Sequence, residues 1–187
     1  MHSISTNHPL QILKELEQSC KQHLVTPAKP AAKAKLWSGF GFRVNKFNLC
    51  IKCNVIEELL DSHFQQNLSK VPGAKNWLMG LISLRGQALP LIDLNQYIFN
   101  TSSELTKKSR LLVINFSNTR TGLIIDEAYG LKQFDPDFAQ TPASVDTVPA
   151  ELEKFSTKIF LQGELPWIEF STQRLENDPD FLNAARF

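Results

Sequence analysis

The stretch Leu-Ile-Ser-Leu-Arg-Gly-Gln-Ala-Leu-Pro-Leu-Ile-Asp-Leu, residues 81–94, predicts a β-hairpin. Leu and Ile fill both halves, and Gly86 stands near the middle, where the chain has to turn. Pro90 has no backbone N–H and therefore predicts an edge position for the second strand. A related stretch, Leu-Gln-Gly-Glu-Leu-Pro-Trp-Ile-Glu-Phe, recurs at residues 161–170 with Gly163 in the turn position. Because one pattern occurs twice, we expect two similar units built from short strands.

Further hairpins flank both copies. The stretch 41–53 holds two short runs around Asn45-Lys46, and the stretch 110–131 holds two runs rich in Leu, Ile and Val. Many short strands at regular spacing are typical of small β-barrels, which leave few free strand edges. The sequence therefore predicts a mainly β fold of two small barrels or half-barrels.

Helix signals are few and local. Asn54 followed by Glu57 resembles a capping box and predicts a short helix from Val55 to Leu60. The stretch 149–155 predicts another helix, and Asp178-Pro179 predicts the start of a terminal one.

The first 35 residues differ from the rest of the chain. Leucines recur at helical spacing through residues 10–24, and a stretch rich in Pro, Ala and Lys follows at 26–35. We expect an N-terminal helix and tether at 1–35 and a β domain with a C-terminal helix at 36–187. The N-terminal helix either docks on the domain's own surface or serves as a contact arm.

The composition is that of an ordinary globular protein. The chain has 187 residues, 42% of them hydrophobic and 21% charged, and its formal net charge is +1. This balance excludes a wholly disordered chain, and it provides no overall field that would draw the protein to nucleic acid or to an anionic membrane. The first ten residues show no pattern of a secretory signal, so we expect none, and the longest apolar stretch is too short to span a bilayer. We expect a cytoplasmic protein that binds partners through shape and apolar contact, without nucleic acid or membrane insertion.

Residues that could carry catalysis are scarce. Three of the four histidines lie within the first 35 residues, so His63 is the only histidine of the β domain. A nucleophile and its histidine base have to lie within about 3 Å of each other on a rigid scaffold. The sequence also lacks a phosphate-binding loop and a serine elbow. We therefore expect no enzymatic activity and no cofactor.

The cysteines offer an alternative of another class. Cys50 and Cys53 form a CxxC pair, and Cys20 and His23 form a CxxH pair, which together could bind zinc or provide a thiol redox centre. Cys50 and Cys53 fall at the end of a predicted strand, however, where residues three apart face opposite sides. We favour buried structural cysteines and expect no metal.

The hairpin at 81–94 also carries a family resemblance. Together with Trp77-Leu78-Met79-Gly80, it resembles the signature of CheW-like domains, in which an apolar-Arg-Gly step precedes an apolar-Pro-apolar-apolar-Asp-apolar run. The stretch 122–127 resembles a later strand of that family, which ends in an apolar-apolar-Asp step. The resemblance covers residues 37–177. Ser83 departs from it, because the family usually has Asn at this position.

Other features resemble the branch of CheW-like adaptors that serves type IV pilus twitching motility. They are the Trp-Ser-Gly run at 37–39, Val71-Pro72-Gly73 and the terminal Asp178-Pro179. The resemblance implies two small five-stranded β-barrels packed together and an adaptor without catalytic activity. It implies two partners, the cytoplasmic tip of a methyl-accepting chemoreceptor and the regulatory domain of a CheA-like histidine kinase, in membrane-associated arrays. A flagellar chemotaxis coupling protein is the alternative within the family.

Six residues are candidates for the kinase or receptor interface. Arg85 precedes the turn glycine of an apolar hairpin, where its guanidinium needs a partner, and we expect Glu57 to supply a carboxylate. Apolar neighbours complete the set, which is Val55, Ile56, Glu57, Leu81, Ile82 and Arg85. Structural turn or cap positions are expected at Gly86, Asp93, Gly122, Asp126 and Gly163.

Overall fold

Strands are the main secondary structure of the computed structural model, which describes residues 36–116, 119–142, 148–162 and 165–184. The expected N-terminal helix and tether at 1–35 lie outside the described residues, and so does Gly163. The strands are β1 (Trp37–Val44), β2 (Phe47–Lys52), β3 (Ile56–Leu60), β4 (Leu78–Leu84), β5 (Gln87–Asp93), β6 (Arg110–Asn115), β7 (Arg120–Ile125), β8 (Glu127–Phe134), β9 (Ala139–Gln140), β10 (Ser156–Gln162) and β11 (Leu165–Phe170). The α-helices are α1 (Leu94–Phe99), α2 (Ala150–Glu153), α3 (Thr172–Glu176) and α4 (Pro179–Leu182), and 3₁₀ turns lie at Cys53–Val55, Ser62–Asn67 and Pro136–Phe138.

The strands form two sheets that share one internal order. A six-stranded sheet runs β8-β1-β2-β11-β10-β9, and a five-stranded sheet runs β3-β6-β7-β5-β4. In each sheet a parallel pair joins two hairpins, β2 with β11 in one and β7 with β5 in the other. An antiparallel strand then extends each sheet, β8 beside β1 and β3 beside β6. The repeated sequence pattern thus occupies equivalent places in two similar units, which confirms the predicted mainly β fold.

The central strands are apolar on both faces because both faces are buried. In β6, Leu111 and Val113 belong to a core cluster inside the five-stranded sheet. Their neighbours Leu112 and Ile114 belong to a larger cluster, which we call the shared core because both sheets contribute to it. Strands buried on both faces show continuous apolar runs rather than alternation, which explains the sequence of residues 110–115.

Residues 56–60 form strand β3, so the predicted helix from Val55 to Leu60 is wrong. The strand pairs with β6, and Asn54 lies in a 3₁₀ turn that has no side-chain cap. A helix cap is worth about 1 kcal/mol. A ladder of several backbone hydrogen bonds with apolar contacts on the strand faces outweighs it.

The predicted edge position of Pro90 is also wrong, because β5 lies between β7 and β4. The parallel register of β5 with β7 covers only Leu91–Asp93. At Pro90 the strand is therefore paired only with β4. The missing backbone N–H of Pro90 does not interrupt the hydrogen bonds to β7, because that pairing begins at Leu91.

The expected turn and cap residues have different roles. Asp93 is the N-cap of α1, and its Oδ1 accepts a 3.0 Å hydrogen bond from the Gln96 N–H. Gly122 lies inside β7 rather than at a turn, and a Cβ at this position would come within 2.8 Å of side-chain carbons of Leu111 and Leu91. A methyl group at Gly122 would therefore crowd these two leucine side chains, which would have to shift to accommodate it.

Asp126 links the two sheets instead of capping the turn that follows it. Its Oδ2 accepts a 2.6 Å hydrogen bond from the backbone N–H of Asn45, in the β1–β2 turn, and lies 3.7 Å from Arg43 Nη1. Burial raises the pKa of Asp126, an effect that the Asn45 N–H and the Arg43 charge oppose.

The C-terminal helix α4 begins after Asp178, as predicted, and packs on the five-stranded sheet. The Phe181 ring stacks on Trp77 with a centroid separation of 5.6 Å. Asp178 caps α4 through the Asp180 N–H and pairs with Lys154 Nζ at 3.1 Å. Burial acts to raise the pKa of Asp178, but the Asp180 N–H and Lys154 together hold it below its usual value.

Candidate functional site

The candidate interface residues gather where the two edges of the five-stranded sheet meet. Arg85 lies in the β4–β5 turn at one edge and Glu58 lies on β3 at the other, yet Arg85 Nη2 is 3.0 Å from Glu58 Oε2. The sheet is therefore rolled, and its outer strands approach each other. Ser69 covers part of the remaining edge, because it exchanges two backbone hydrogen bonds of 2.8 Å with Leu81 on β4.

The expected pairing of Arg85 with Glu57 is wrong. Glu57 accepts a 2.6 Å hydrogen bond from Arg120 Nε, whereas Arg85 pairs with Glu58. The register of β3 against β6 shifts between Ile56 and Glu58, which places Glu57 at a bulge. Neighbouring strand residues point to opposite sides, and a bulge turns a side chain in a new direction. The two adjacent glutamates therefore bind different arginines.

Arg120 is a residue of this site that the sequence did not indicate. Its Nε donates to Glu57 Oε2 and its Nη1 donates to Gln87 Oε1 at 2.9 Å, so it ties β3, β5 and β7 together. The side chains of Arg120 and Glu57 are only 22% and 33% exposed. Arg120 is 63 positions from Glu57 and 33 from Gln87, and no local sequence pattern could have joined them.

The backbone of Arg85 is held in an unfavourable conformation. Arg85 and Gly86 have φ angles of +53° and +78°, as in a type I′ hairpin turn. A left-handed backbone conformation costs an arginine roughly 1–2 kcal/mol. A surface ion pair stabilises by only about 0–1 kcal/mol, so the pair with Glu58 does not offset this cost. The Arg85 side chain is 69% exposed. A strained residue that displays an exposed guanidinium is more typical of a binding surface than of a structural contact.

The contact between Arg85 and Glu58 is an ion pair without an aligned hydrogen bond. Glu58 Oε2 is inaccessible to solvent and accepts no hydrogen bond from the described residues, although Arg85 Nη2 is 3.0 Å away. The carboxylate is thus held beside the guanidinium by charge, and the guanidinium itself is largely exposed to solvent. Its exposed donors are available to an acidic group of a partner.

The apolar candidates divide into surface and core residues. Val55 and Ile56 are half-buried against the shared core, as is Phe40 of β1, and the 3₁₀ turn that ends at Val55 contacts β1. We call these three residues the apolar strip. Ile82 is only 6% exposed and packs inside the five-stranded sheet, so it is a core residue rather than the interface residue expected. Leu81 is half-buried on β4.

The two cysteines of the described residues lie in different surroundings. Cys50 is 0% exposed and packs among three aromatic side chains inside the six-stranded sheet, whereas Cys53 is exposed. Burial, and to a lesser extent the Glu169 carboxylate, raises the pKa of the Cys50 thiol far above its usual value. The CxxC pair therefore does not present two thiols to one site. Cys20 and His23 lie outside the described residues, among which no group of three His, Cys, Asp or Glu side chains is placed to hold a metal.

The family model of the CheW-like domain matches residues 38–175 of the chain. The chain belongs to the CheW-like family. Members of this family are non-catalytic scaffold or adaptor proteins, so the chain is a chemosensory coupling protein and not an enzyme. In the described residues, no helix has the length and hydropathy that a membrane span requires.

Individual CheW-like proteins resemble the chain to different extents. Protein PilI of Pseudomonas aeruginosa is 32% identical over 180 residues, which are 95% of this chain and 96% of PilI. Chemotaxis protein CheW of Bacillus subtilis is 35% identical over 63 residues, 34% of this chain and 40% of that protein. The crystal structure of the scaffolding protein TtCheW from Thermoanaerobacter tengcongensis superposes with a TM-score of 0.62 at 20% identity, over 72% of this chain and 84% of TtCheW. The last match shows that the CheW-like fold is shared.

Proposed function

We propose that this CheW-like protein couples a methyl-accepting chemoreceptor to the regulatory domain of a CheA-like histidine kinase, in a system that controls type IV pilus twitching motility. Support for the pilus role comes from the similarity to PilI, which extends over 95% of the chain. The Trp-Ser-Gly run at 37–39 and the terminal Asp178-Pro179 agree with this assignment. The protein works in the cytoplasm and is recruited by the receptor to membrane-associated arrays.

The observation that carries the proposal is the exposed, strained Arg85 at the tip of the rolled sheet. Glu58, its partner, lies on β3 two residues after Ile56 of the apolar strip. A helix can lay apolar side chains on such a strip and place a carboxylate at the guanidinium. We assign this surface to the helical tip of the chemoreceptor and assign the kinase domain to another face.

Coupling then follows from geometry rather than from chemistry. An adaptor that holds receptor and kinase at once favours the kinase state whose position matches the receptor state. A shift of the receptor therefore changes the free-energy difference between active and inactive kinase, and kinase binding changes receptor affinity by the same factor.

Titration calorimetry of the full chain against each partner tests the proposal. The probes are the purified cytoplasmic fragment of the chemoreceptor and the regulatory domain of the kinase, both from the same organism. We expect saturable binding to each, and we expect Arg85→Ala to weaken receptor binding at least about tenfold, as for a charged interface contact. No binding to either folded partner would refute the proposal.

The second candidate is the coupling protein of a flagellar chemotaxis system. The observation in its favour is the 35% identity to CheW of Bacillus subtilis, which covers 63 residues. Deletion of the gene distinguishes the two functions: loss of twitching with normal swimming supports the pilus system, and the reverse supports the flagellar one.

The zinc alternative requires Cys20, His23, Cys50 and Cys53 to act together, and the redox alternative requires the two thiols of the CxxC pair, Cys50 and Cys53, to lie together. Since Cys50 is buried and Cys53 is exposed, we favour neither. Metal analysis of the purified full chain tests the zinc hypothesis, and a content of about one zinc per chain would support it.

A further inference from the structure

A cavity lined by one buried carboxylate adjoins the apolar strip. Its volume is about 310 Å³, and Val55 of the strip is one of its lining residues. Glu169 of β11 and Thr157 of β10 line it as well, with Lys52 at the end of β2. The cavity therefore continues the surface that we assign to the chemoreceptor.

Glu169 is a buried carboxylate without a basic partner in the described part of the chain. The residue is 9% exposed, and its Oε2 accepts a 2.7 Å hydrogen bond from the Thr157 hydroxyl. The ion pairs of the described residues involve other acidic groups and leave Glu169 out. The neutral Thr157 hydroxyl offsets only part of the free-energy cost of burying the Glu169 charge. A cation placed beside a buried carboxylate interacts with it more strongly than at an open surface, because less water screens the two charges.

The shape and chemistry of the cavity suit a long basic side chain. Val55 provides apolar wall for an aliphatic stem, and the Glu169 carboxylate and the Thr157 hydroxyl provide acceptors for its charged end. The cavity volume of about 310 Å³ leaves room for a lysine or arginine side chain. A metal ion would need several ligating groups, and among the described residues no group of three acidic, His or Cys side chains is placed to hold one.

We propose that the chemoreceptor helix docked on the apolar strip inserts a lysine or arginine side chain into this cavity and pairs it with Glu169. The inference rests on the proposed function, since it takes the receptor as the partner at the strip. Arg85 and Glu169 then recognise groups of opposite charge on one helix. Such a pairing sets the register and direction of the helix as well as its affinity.

Receptor binding by Glu169→Gln tests this assignment, because the substitution removes the charge and keeps the size and an acceptor for Thr157. Calorimetry with the receptor cytoplasmic fragment should show binding at least about tenfold weaker than for the unmodified chain. The matched control is Glu151→Gln, an exposed glutamate on α2, which should leave the affinity unchanged. Restored affinity between Glu169→Lys and a receptor fragment with one lysine or arginine changed to glutamate would identify the inserted side chain.

A second variant covers the case in which Glu169→Gln does not fold. Lys52 is exposed and lines the same cavity, so its charge opposes an incoming cation. Lys52→Gln should therefore tighten receptor binding by about two- to fivefold at low salt.

The outcomes separate the failure of this inference from the failure of the proposed function. Receptor binding within twofold of the unmodified chain for both Glu169→Gln and Lys52→Gln overturns the inference and leaves the coupling function in place. A loss confined to kinase binding overturns the assignment of the occupant. An unmodified chain that does not bind the receptor overturns the proposed function, and this inference with it.

Discussion

Replacing the two arginines of the rolled sheet should separate stability from partner binding. Arg120→Met and Arg85→Met each remove a guanidinium and keep most of the aliphatic stem. Arg120 makes two internal hydrogen bonds and is 22% exposed, whereas Arg85 is 69% exposed and makes one ion pair. We expect Arg120→Met to lower the free energy of unfolding and Arg85→Met to weaken receptor binding.

The magnitude for Arg120 follows from its contacts. A hydrogen bond to a charged group is worth about 1.5–3 kcal/mol and one to a neutral group about 0.5–1.5 kcal/mol. Glu57 is 33% exposed, so water compensates part of the loss. We therefore expect Arg120→Met to lower the free energy of unfolding by about 1–2 kcal/mol. For a domain of this size, that corresponds to a fall of about 2–8 °C in Tm. Arg85→Met should cost less, about 0–1 kcal/mol, because the guanidinium is mostly exposed and water can replace it beside Glu58.

Urea unfolding followed by fluorescence measures both variants, with calorimetry against the receptor fragment as the second readout. The midpoint should fall for Arg120→Met without a change in m, because the fold is unaltered. A double-mutant cycle of Arg120→Met with Glu57→Gln should give a coupling free energy of about 1 kcal/mol. Equal destabilisation by the two arginine variants, or no coupling between residues 120 and 57, would refute the assignment of the ion pairs.

Three further substitutions or probes test other parts of the structure. Gly122→Ala should lower the free energy of unfolding by about 1–3 kcal/mol in urea titrations, because a methyl group would crowd two leucine side chains; an unchanged midpoint would show that the core adjusts. Asp178→Asn should destabilise by about 1 kcal/mol at pH 7. Because the pKa of Asp178 is lowered in the folded protein, its stabilisation is present above the unfolded pKa and is lost as the pH falls, so the difference should shrink below about pH 4; a difference independent of pH would contradict this. In a Cys20→Ser background, Cys53 should react with a thiol reagent under native conditions and Cys50 only on unfolding. Two fast thiols per chain would contradict the buried position.

The fold places the proposed receptor surface where both sheets contribute to it. Phe40 lies on β1 of the six-stranded sheet, Ile56 lies on β3 of the five-stranded sheet, and Val55 lies in the turn between β2 and β3, yet all three pack on the shared core. A helix bound to this strip would contact both sheets at once. Movement of the bound helix would therefore act on the whole adaptor rather than on one barrel, as coupling by geometry requires.

The sequence by itself determined the hairpins, the repeat and the family. Hairpins depend on turn residues and on strand-forming runs that are adjacent in the chain, and the turn at Asn45-Lys46 and that at Arg85-Gly86 are where the sequence predicts them. The expectation of buried structural cysteines is confirmed for Cys50 and wrong for Cys53, which is exposed in the 3₁₀ turn after β2.

Only the tertiary structure decided how the candidate site is assembled. The capping signal at Asn54 predicted a helix, but pairing with β6 made residues 56–60 a strand. Because of the bulge at Glu57, the two adjacent glutamates pair with different arginines: Glu58 with Arg85, and Glu57 with Arg120. The sequence did not indicate Arg120. These contacts join residues far apart in the chain, and their energies outweigh local propensities of about 1 kcal/mol. Local patterns therefore place the hairpins, whereas pairing with β6 decides the structure of residues 56–60 and the rolling of the sheet decides which charges meet.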